Sequence, residues 1–205
     1  MTLRNRVTPF GEIRADPMRG AWVGNRGVLH DASRTIRRDW QVRRWITCRL
    51  DFRGRHREVM TPGRWTELFF LDEATAFAAG HRPCGECRNA DYRRFRARWE
   101  TAHPDDAVGA DAIDARLHGE RLAGRAKRTH AADVRALPDG AFLVEGGEPW
   151  LVRGASLLRW TPGGYADRRY RPSHGTVELL TPPGVVAVFR AGYDPQIHPT
   201  ALDGR

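Results

Sequence analysis

Residues 69–88 read FFLDEATAFAAGHRPCGECR, and they carry three structural signals in a row. Paired aromatic residues end an extended segment that begins near Thr66, which predicts a strand over residues 66–71. Asp72 follows as an N-cap and Gly80 as a C-terminal stop, so a short alanine-rich helix is expected between them. Cys84 and Cys87 come last, and their spacing is typical of a tight turn that binds one metal ion.

The sequence on both sides of this stretch predicts a mixed α/β fold of the α+β type. Apolar residues alternate over 42–52 and a turn follows at Arg53-Gly54, which predicts an N-terminal β-hairpin that returns to residue 60. Helical spacing predicts helices over residues 89–101 and 111–122. The last third has strand-like segments at 141–144, 150–152, 157–160 and 176–180, then a helix over 183–191. We expect regions 1–105 and 106–205, or one continuous domain, with antiparallel strands and a terminal helix in the second.

Composition restricts the class of protein. The 205 residues are 40% hydrophobic and 29% charged, as in folded globular chains. No apolar stretch reaches the ~20 residues of a membrane span, and the first residues lack the apolar core of a signal peptide, so we expect a cytoplasmic protein without a membrane partner. An odd number of cysteines, three, makes a disulfide framework unfavourable and favours metal binding or redox chemistry.

The net charge of +9 favours a polyanionic partner, and nucleic acid is the obvious one. All but one of the 34 basic residues are arginine, a bias that GC-rich coding alone can produce. The position of the charges, rather than their number, therefore has to show whether nucleic acid is a partner. Arg82 and Arg88 flank the cysteine pair, and Arg93 and Arg94 lie off the apolar stripe of the following helix. We expect these four arginines to contact phosphates, which position a protein on nucleic acid without reading its sequence.

Residues 66–88 resemble the second half of the metal-binding module of the Ada family of DNA-repair proteins. In that family a strand with paired aromatics enters an acidic, alanine-rich helix, followed by Gly, an aromatic residue, Arg, Pro and a Cys-x-x-Cys pair. His81 replaces the aromatic residue here. The resemblance implies a zinc cofactor and a DNA partner, in preference to RNA, with a role in DNA repair or maintenance. Ada binds zinc through four cysteines and uses one of the first pair to accept a methyl group from a DNA phosphotriester. No upstream Cys-x-x-x-Cys exists here, so methyl transfer is not expected.

The two remaining zinc ligands have to come from elsewhere in the chain. Cys48 points inward on its predicted strand, and His30 lies where the missing half of the Ada module is expected, so we predict a Cys3His site from Cys48, Cys84, Cys87 and His30. Two alternatives stay open. Cys48 could be a small buried apolar residue, and Cys84 with Cys87 could be a redox pair whose acidity the following helix increases.

A competing enzyme hypothesis comes from the resemblance to zinc-dependent deaminases, whose signature is H-x-E followed by P-C-x-x-C. In that resemblance His56, Cys84 and Cys87 hold zinc and Glu58 transfers the proton. The context argues against it, because a deaminase carries H-x-E on a helix and Pro62 stops any helix here.

A further alternative is that the zinc is purely structural and the activity belongs to the C-terminal half. Four aromatic residues lie near four arginines there, and such a surface could stack nucleobases. The aromatic residues are Trp150, Trp160, Tyr165 and Tyr170, and the arginines are Arg153, Arg159, Arg168 and Arg169. Alternating aromatics in strands are more often part of a core, so this surface remains a hypothesis.

Overall fold

The structure, a computed structural model, describes residues 2–54 and 58–202. Those residues form fourteen β-strands and four α-helices, together with two short 3₁₀ turns. The strands are β1 (Arg4–Val7), β2 (Ile13–Ala15), β3 (Trp22–Asn25), β4 (Ile46–Cys48), β5 (Leu68–Phe70), β6 (Arg82–Pro83), β7 (Leu122–Ala123), β8 (Ala126–Lys127), β9 (His130–Asp133), β10 (Phe142–Glu145), β11 (Glu148–Arg153), β12 (Ser156–Thr161), β13 (Gly164–Tyr170) and β14 (Thr176–Leu179). The helices are α1 (Glu73–Ala78), α2 (Asn89–Ala102), α3 (Ala110–Arg121) and α4 (Pro183–Arg190).

Six strands of the N-terminal half form a mixed sheet in the order β2-β1-β5-β3-β4-β6. β1 runs parallel to β5 and β4 runs parallel to β6, whereas the other neighbours are antiparallel. Gly24 in β3 lets β4 approach closely, because a Cβ atom at this position would collide with the carbonyl oxygen of Ile46. β4 also pairs with β6, so the end of β4 lies directly beside the end of β6.

The second large sheet is antiparallel throughout and has the order β13-β12-β11-β10-β14-β9. Its buried face includes Phe142, Leu151 and Leu158, which pack against Ala74 and Ala78 of α1. The small side chains of α1 let the helix lie close to the sheet, so the two large sheets are joined through this short helix.

Every residue of α1 is buried, and the residue before it anchors the helix to the C-terminal half. Asp72 accepts hydrogen bonds from the backbone N–H of Thr75 at 2.8 Å and from the Thr75 hydroxyl at 2.7 Å. Its second oxygen accepts from the hydroxyl of Tyr165 at 2.7 Å and from the backbone N–H of His198 at 3.0 Å. Asp72 is thus both the helix cap and a tie between distant parts of the chain.

Glu73 makes a second tie of the same kind. Its carboxylate accepts hydrogen bonds from the Tyr193 hydroxyl at 2.8 Å and from the backbone N–H of Gln196 at 2.9 Å, and it forms an ion pair with Arg88. The Glu73 and Arg88 side chains are both fully buried. A charged pair survives there because every charge has a partner of opposite sign or a hydrogen bond.

The helices α2, α3 and α4 pack around a second core formed by aromatic and branched residues from both halves of the chain. Phe77, Phe95, Trp99, Ile113 and Val188 are among its fully buried members. The regions expected at 1–105 and 106–205 therefore share buried cores, since residues from both sides of residue 105 fill the same clusters.

The α+β fold class and the four predicted helices are confirmed, each helix to within one residue or so of its expected ends. The hairpin expected over residues 42–60 is wrong within the described part of that stretch, because β4 pairs with β3 and β6 instead. Strand β13 was not expected, since its polar sequence suits the edge of a sheet rather than a core strand. Among the described residues, no helix has both the length and the apolar character that crossing a membrane demands.

Candidate metal centre

Three chain segments bring the cysteines together. Cys48 is the last residue of β4, Cys84 directly follows β6, and Cys87 lies in the turn before α2. Because β4 and β6 are adjacent parallel strands, with Thr47 opposite Pro83, the residues that follow them lie at the same level. The sulfur atoms of Cys48, Cys84 and Cys87 all lie within 4.8 Å of one another. The predicted association of Cys48 with the cysteine pair is present in this geometry.

The turn from residue 84 to 88 directs the sulfur of Cys84 toward the group. The backbone N–H of Glu86 donates to this sulfur at 3.4 Å, and the N–H of Arg88 donates to the carbonyl oxygen of Cys84 at 3.1 Å. The Asn89 side chain donates to the carbonyl oxygen of Gly85 at 2.8 Å, which ties the turn to the start of α2. These bonds fix the conformation of the turn that directs the Cys84 sulfur toward the other two sulfurs.

Shared hydrogen bonds set the relative acidity of the three thiols. The pKa of Cys84 is lowered, chiefly because its sulfur accepts from Cys48 and then from Cys87. The pKa of Cys48 is raised, chiefly by its hydrogen bonds with Cys84 and Cys87, and burial acts in the same direction. For Cys87 the bond with Cys48 lowers the pKa, but the bond with Cys84 and burial outweigh it and the pKa is raised. The Cys84 sulfur is therefore the shared hydrogen-bond acceptor of the group.

The donor set fits a thiophilic metal ion. Three converging thiolates are typical ligands of tetrahedral zinc, which needs one more ligand. Within the described ranges 2–54 and 58–202, no histidine, aspartate, glutamate or further cysteine joins the group of three sulfurs. The arrangement can thus hold a metal ion with one coordination position left for a group from outside this set.

A cavity of about 450 Å³ opens beside the three sulfurs. Its wall is mainly apolar and aromatic, and it comprises Val23, Ile46, Leu50, Phe52, Val59, Trp65 and Phe69. The polar wall residues include Glu67, which is 5% exposed and accepts a hydrogen bond from the backbone N–H of Met60 at 2.8 Å. The group of three sulfurs is therefore accessible to a ligand of moderate size, unlike a zinc site enclosed by four protein ligands.

The orientation of Cys48 differs from the expectation. Thr47 is the buried residue of β4, whereas Ile46 and Cys48 are half-buried and line the cavity. The predicted alternation of β4 is correct, but the face predicted to be buried is the accessible one. Thr47 lies on the buried face because its hydroxyl donates to the carbonyl oxygen of Arg82 and accepts from Arg88. The inversion places Cys48 on the accessible side of the sheet.

His30 does not reach the cysteines, which corrects its prediction as the fourth ligand. Its Nδ1 atom is hydrogen-bonded to the Thr66 hydroxyl at 2.6 Å and its Nε2 atom to the carbonyl oxygen of Thr61 at 3.2 Å. The residue is 6% exposed. Both ring nitrogens are engaged in fixing loops, so His30 is a buried structural histidine.

Arg82 and Arg88 are not on the surface, which corrects the prediction that they contact phosphates. Arg82 is 3% exposed and donates to both carboxylate oxygens of Asp114, at 2.8 Å and 2.6 Å. Arg88 is 2% exposed, pairs with Glu73 and with Asp91, and lies over the Trp22 ring at 3.9 Å. Both arginines anchor the cysteine turn from behind.

Arg93 and Arg94 are exposed on α2, as expected from their position away from Phe95 and Trp99. Arg94 forms an ion pair with Asp91 at 2.8 Å, so part of its charge is neutralised. Arg93 has no ion pair with any residue that the structure describes, and the same holds for the exposed Arg96. The outer face of α2 therefore carries a net positive charge beside the cysteine turn.

The deaminase hypothesis receives no geometric support from Glu58. Its side chain is 67% exposed and forms an ion pair with Arg34, and it does not line the cavity beside the cysteines. His56 lies outside the described residues. Cys48 occupies the place of a third candidate ligand, a role that the deaminase resemblance assigned to His56.

Sequence reasoning missed Asp114 and Glu67. Asp114 lies 32 residues after its partner Arg82, and no local pattern connects them. Glu67 could have been noticed as a lone carboxylate immediately before the apolar strand β5, a position where charges are uncommon.

Comparison of the chain with protein-family models, with curated proteins and with solved structures finds no match. The function therefore has to be argued from the site, and the resemblance to the Ada module stays a prediction.

Proposed function

We propose that this protein binds zinc through Cys48, Cys84 and Cys87 and binds nucleic acid, DNA in preference to RNA, through the face beside that centre. The convergence of three sulfurs within 4.8 Å carries the proposal. Three thiolates, one from the end of β4 and two from the cysteine turn, suit zinc better than harder cations, which prefer oxygen ligands. Zinc, when bound, supplies Lewis acidity and a rigid link between β4 and the cysteine turn.

The nucleic-acid part rests on charge and its position. The chain carries a net charge of +9, and the exposed arginines of α2 stand next to the cysteine turn without equivalent numbers of ion pairs. Phosphate binding needs guanidinium groups that solvent can reach, a condition that Arg93 and Arg96 meet. The resemblance of residues 66–88 to the Ada module directs the proposal to DNA and to a role in its maintenance, without the Ada methyl-acceptor chemistry.

Metal content tests the first part. Purified protein is expected to hold about one equivalent of zinc by mass spectrometry of the metal, and Cys48→Ser, Cys84→Ser and Cys87→Ser are each expected to lose most of it. His30→Asn serves as the control, because His30 is bonded elsewhere and its loss leaves the three thiols in place. The proposal would be refuted if wild-type protein that has been refolded in excess zinc contains no metal.

Salt-dependent binding tests the second part. Affinity for a DNA duplex is expected to fall steeply with salt, and Arg93→Ala with Arg94→Ala is expected to lower the log–log slope by roughly one to two. The lower bound applies because Asp91 already neutralises part of Arg94. Arg125→Ala with Arg135→Ala is the matched control, since these side chains are 83% and 66% exposed and lie elsewhere. Equal slopes for both double variants would leave the basic composition as coding bias.

The open cavity favours a second candidate, a catalytic zinc centre acting on nucleobases. A site with three protein ligands and a cavity at the fourth position is typical of catalytic rather than structural zinc. Glu67 lies in the cavity wall as a carboxyl group for proton transfer or hydrogen bonding. Deamination of adenosine, cytidine or a short DNA strand, followed by mass spectrometry, is the test. Product formation that Glu67→Gln abolishes while zinc is retained would support this candidate, and absence of product from the wild type would eliminate it.

A further inference from the structure

A second cavity, of about 470 Å³, lies where the two large sheets meet. One wall comes from β1, β2 and the loop after β2, and the opposite wall from β12 and the turns at its end and before β11. None of the three cysteines lines it, although Phe69 contributes to the lining of both cavities. Its size is within the range of small-molecule sites, which commonly occur between packed layers.

Aromatic residues form part of the cleft lining. They include Phe10, Phe69 and Trp160; the Arg6 guanidinium lies over the Phe69 ring at 4.8 Å, and Trp160 is 8% exposed. The indole N–H of Trp160 donates to the Thr75 hydroxyl at 3.0 Å, which fixes the plane of the ring. A fixed aromatic surface at the bottom of a cleft suits a planar ring as its ligand.

The rim carries guanidinium groups from both walls. Arg6 and Arg14 come from the N-terminal sheet and Arg159 from β12. Arg14 pairs with Glu12, and both side chains are more than half exposed; Arg159, 33% exposed, pairs with Asp167, 57% exposed. Pairs that solvent reaches contribute little. Both guanidinium groups can therefore exchange a surface carboxylate for a ligand phosphate, which binds arginine in a bidentate manner.

Two further features point to a ligand with a polar middle part. The Thr8 hydroxyl oxygen is buried without a hydrogen-bond partner among the described residues, and Thr8 lines the cleft. A buried hydroxyl without a partner is costly, and a ligand atom would satisfy it. Asp16 and Glu148 also line the cleft and offer acceptors for sugar hydroxyl groups.

We propose that this cleft binds a 5′-nucleotide unit, either as a free mononucleotide or as one unit of a single strand. The base lies against Trp160, the phosphate contacts Arg14 and Arg159, and the sugar lies between Asp16 and Glu148. Of the base-stacking surface expected from the sequence, Arg159 and Trp160 are the two residues that line this cleft. The proposal does not depend on zinc or on the arginines of α2.

Calorimetric titration of the full chain with adenosine 5′-monophosphate tests the proposal, with adenosine and inorganic phosphate as separate probes. Saturable binding of the nucleotide is expected, with adenosine and phosphate each weaker. Arg14→Glu and Arg159→Glu are each expected to weaken nucleotide binding about tenfold or more, because a charge-assisted contact is lost and a repulsive one is added. Arg135→Glu, exposed and remote, is the control.

Thr8→Val keeps the shape of the buried side chain. It is expected to lower the affinity for the nucleotide several-fold without lowering the melting temperature. Displacement by a short oligonucleotide would assign the natural ligand to a strand, and its absence would assign it to a free nucleotide. Failure of the nucleotide to bind, or equal binding by wild type, Arg14→Glu and Arg159→Glu, would overturn the proposal. Cys84→Ser is expected to leave nucleotide binding intact, so failure of the zinc proposal is distinguishable from failure of this one.

Discussion

The buried ion pair behind the cysteine turn gives the sharpest stability prediction. Arg82 and Asp114 have side chains that are 3% and 4% exposed and are joined by two parallel hydrogen bonds of 2.8 Å and 2.6 Å. Asp114→Asn keeps the size of the side chain but leaves the guanidinium charge of Arg82 buried and uncompensated. Removing one partner of a buried pair costs about 3–5 kcal/mol, which in a protein of this size corresponds to a fall of roughly 6–20 °C in Tm.

Thermal unfolding monitored by circular dichroism measures this loss, and an exposed pair supplies the matched control. Asp133 pairs with Arg135, and these side chains are 41% and 66% exposed. Asp133→Asn is expected to cost less than about 1 kcal/mol, because surface pairs are solvated and an asparagine oxygen can still cap the adjacent turn. Replacing both buried partners, Arg82→Met with Asp114→Leu, is expected to recover much of the loss, because neither charge then remains buried. If Asp114→Asn is as mild as Asp133→Asn, the burial argument is wrong.

Three further predictions concern the core, the single lysine and the sheet. Phe77 is 1% exposed and is surrounded by three aromatic rings. Phe77→Ala is expected to lower the free energy of unfolding, measured with urea, by about 3–5 kcal/mol. Burial, aided by the charges of Arg26 and Arg121, lowers the pKa of Lys127 from 10.5 to about 7, so the unfolded chain binds more protons between these values and stability should rise with pH in that window. Lys127→Met is expected to remove this rise, and identical pH profiles would contradict the sign. Gly24→Ala is expected to cost about 1–3 kcal/mol by pushing β4 away, and an unchanged urea midpoint would show that the strands can separate without loss.

The sequence predicted what is local and failed where the partner is distant. The Asp72 cap, the end of α1 before Gly80 and the bounds of α2 follow from neighbouring residues, and the structure has all three. The buried state of Arg88 depends on Glu73, which lies 15 residues earlier, and on the Trp22 ring.

The same reason explains the outcome for the predicted metal ligands. Cys84 and Cys87 were predicted from their spacing, because a turn of four residues fixes their relation. Cys48 and His30 were equal candidates in the sequence, since only the pairing of β4 with β6 brings one of them to the turn. His30 instead found Thr66, a polar partner that no spacing rule indicates.

The hydrogen bonds of Asp72 and Glu73 also impose an order on the folding of the chain during its synthesis. Their partners Tyr165, Tyr193 and His198 follow them by 93 to 126 residues, so α1 cannot be completed while a ribosome still holds the C-terminal sheet. Contacts of such long range form late and slow the folding of a chain. A nascent chain would thus expose the cysteines for much of its synthesis, and cellular metal buffers would have access to them before the fold closes around α1.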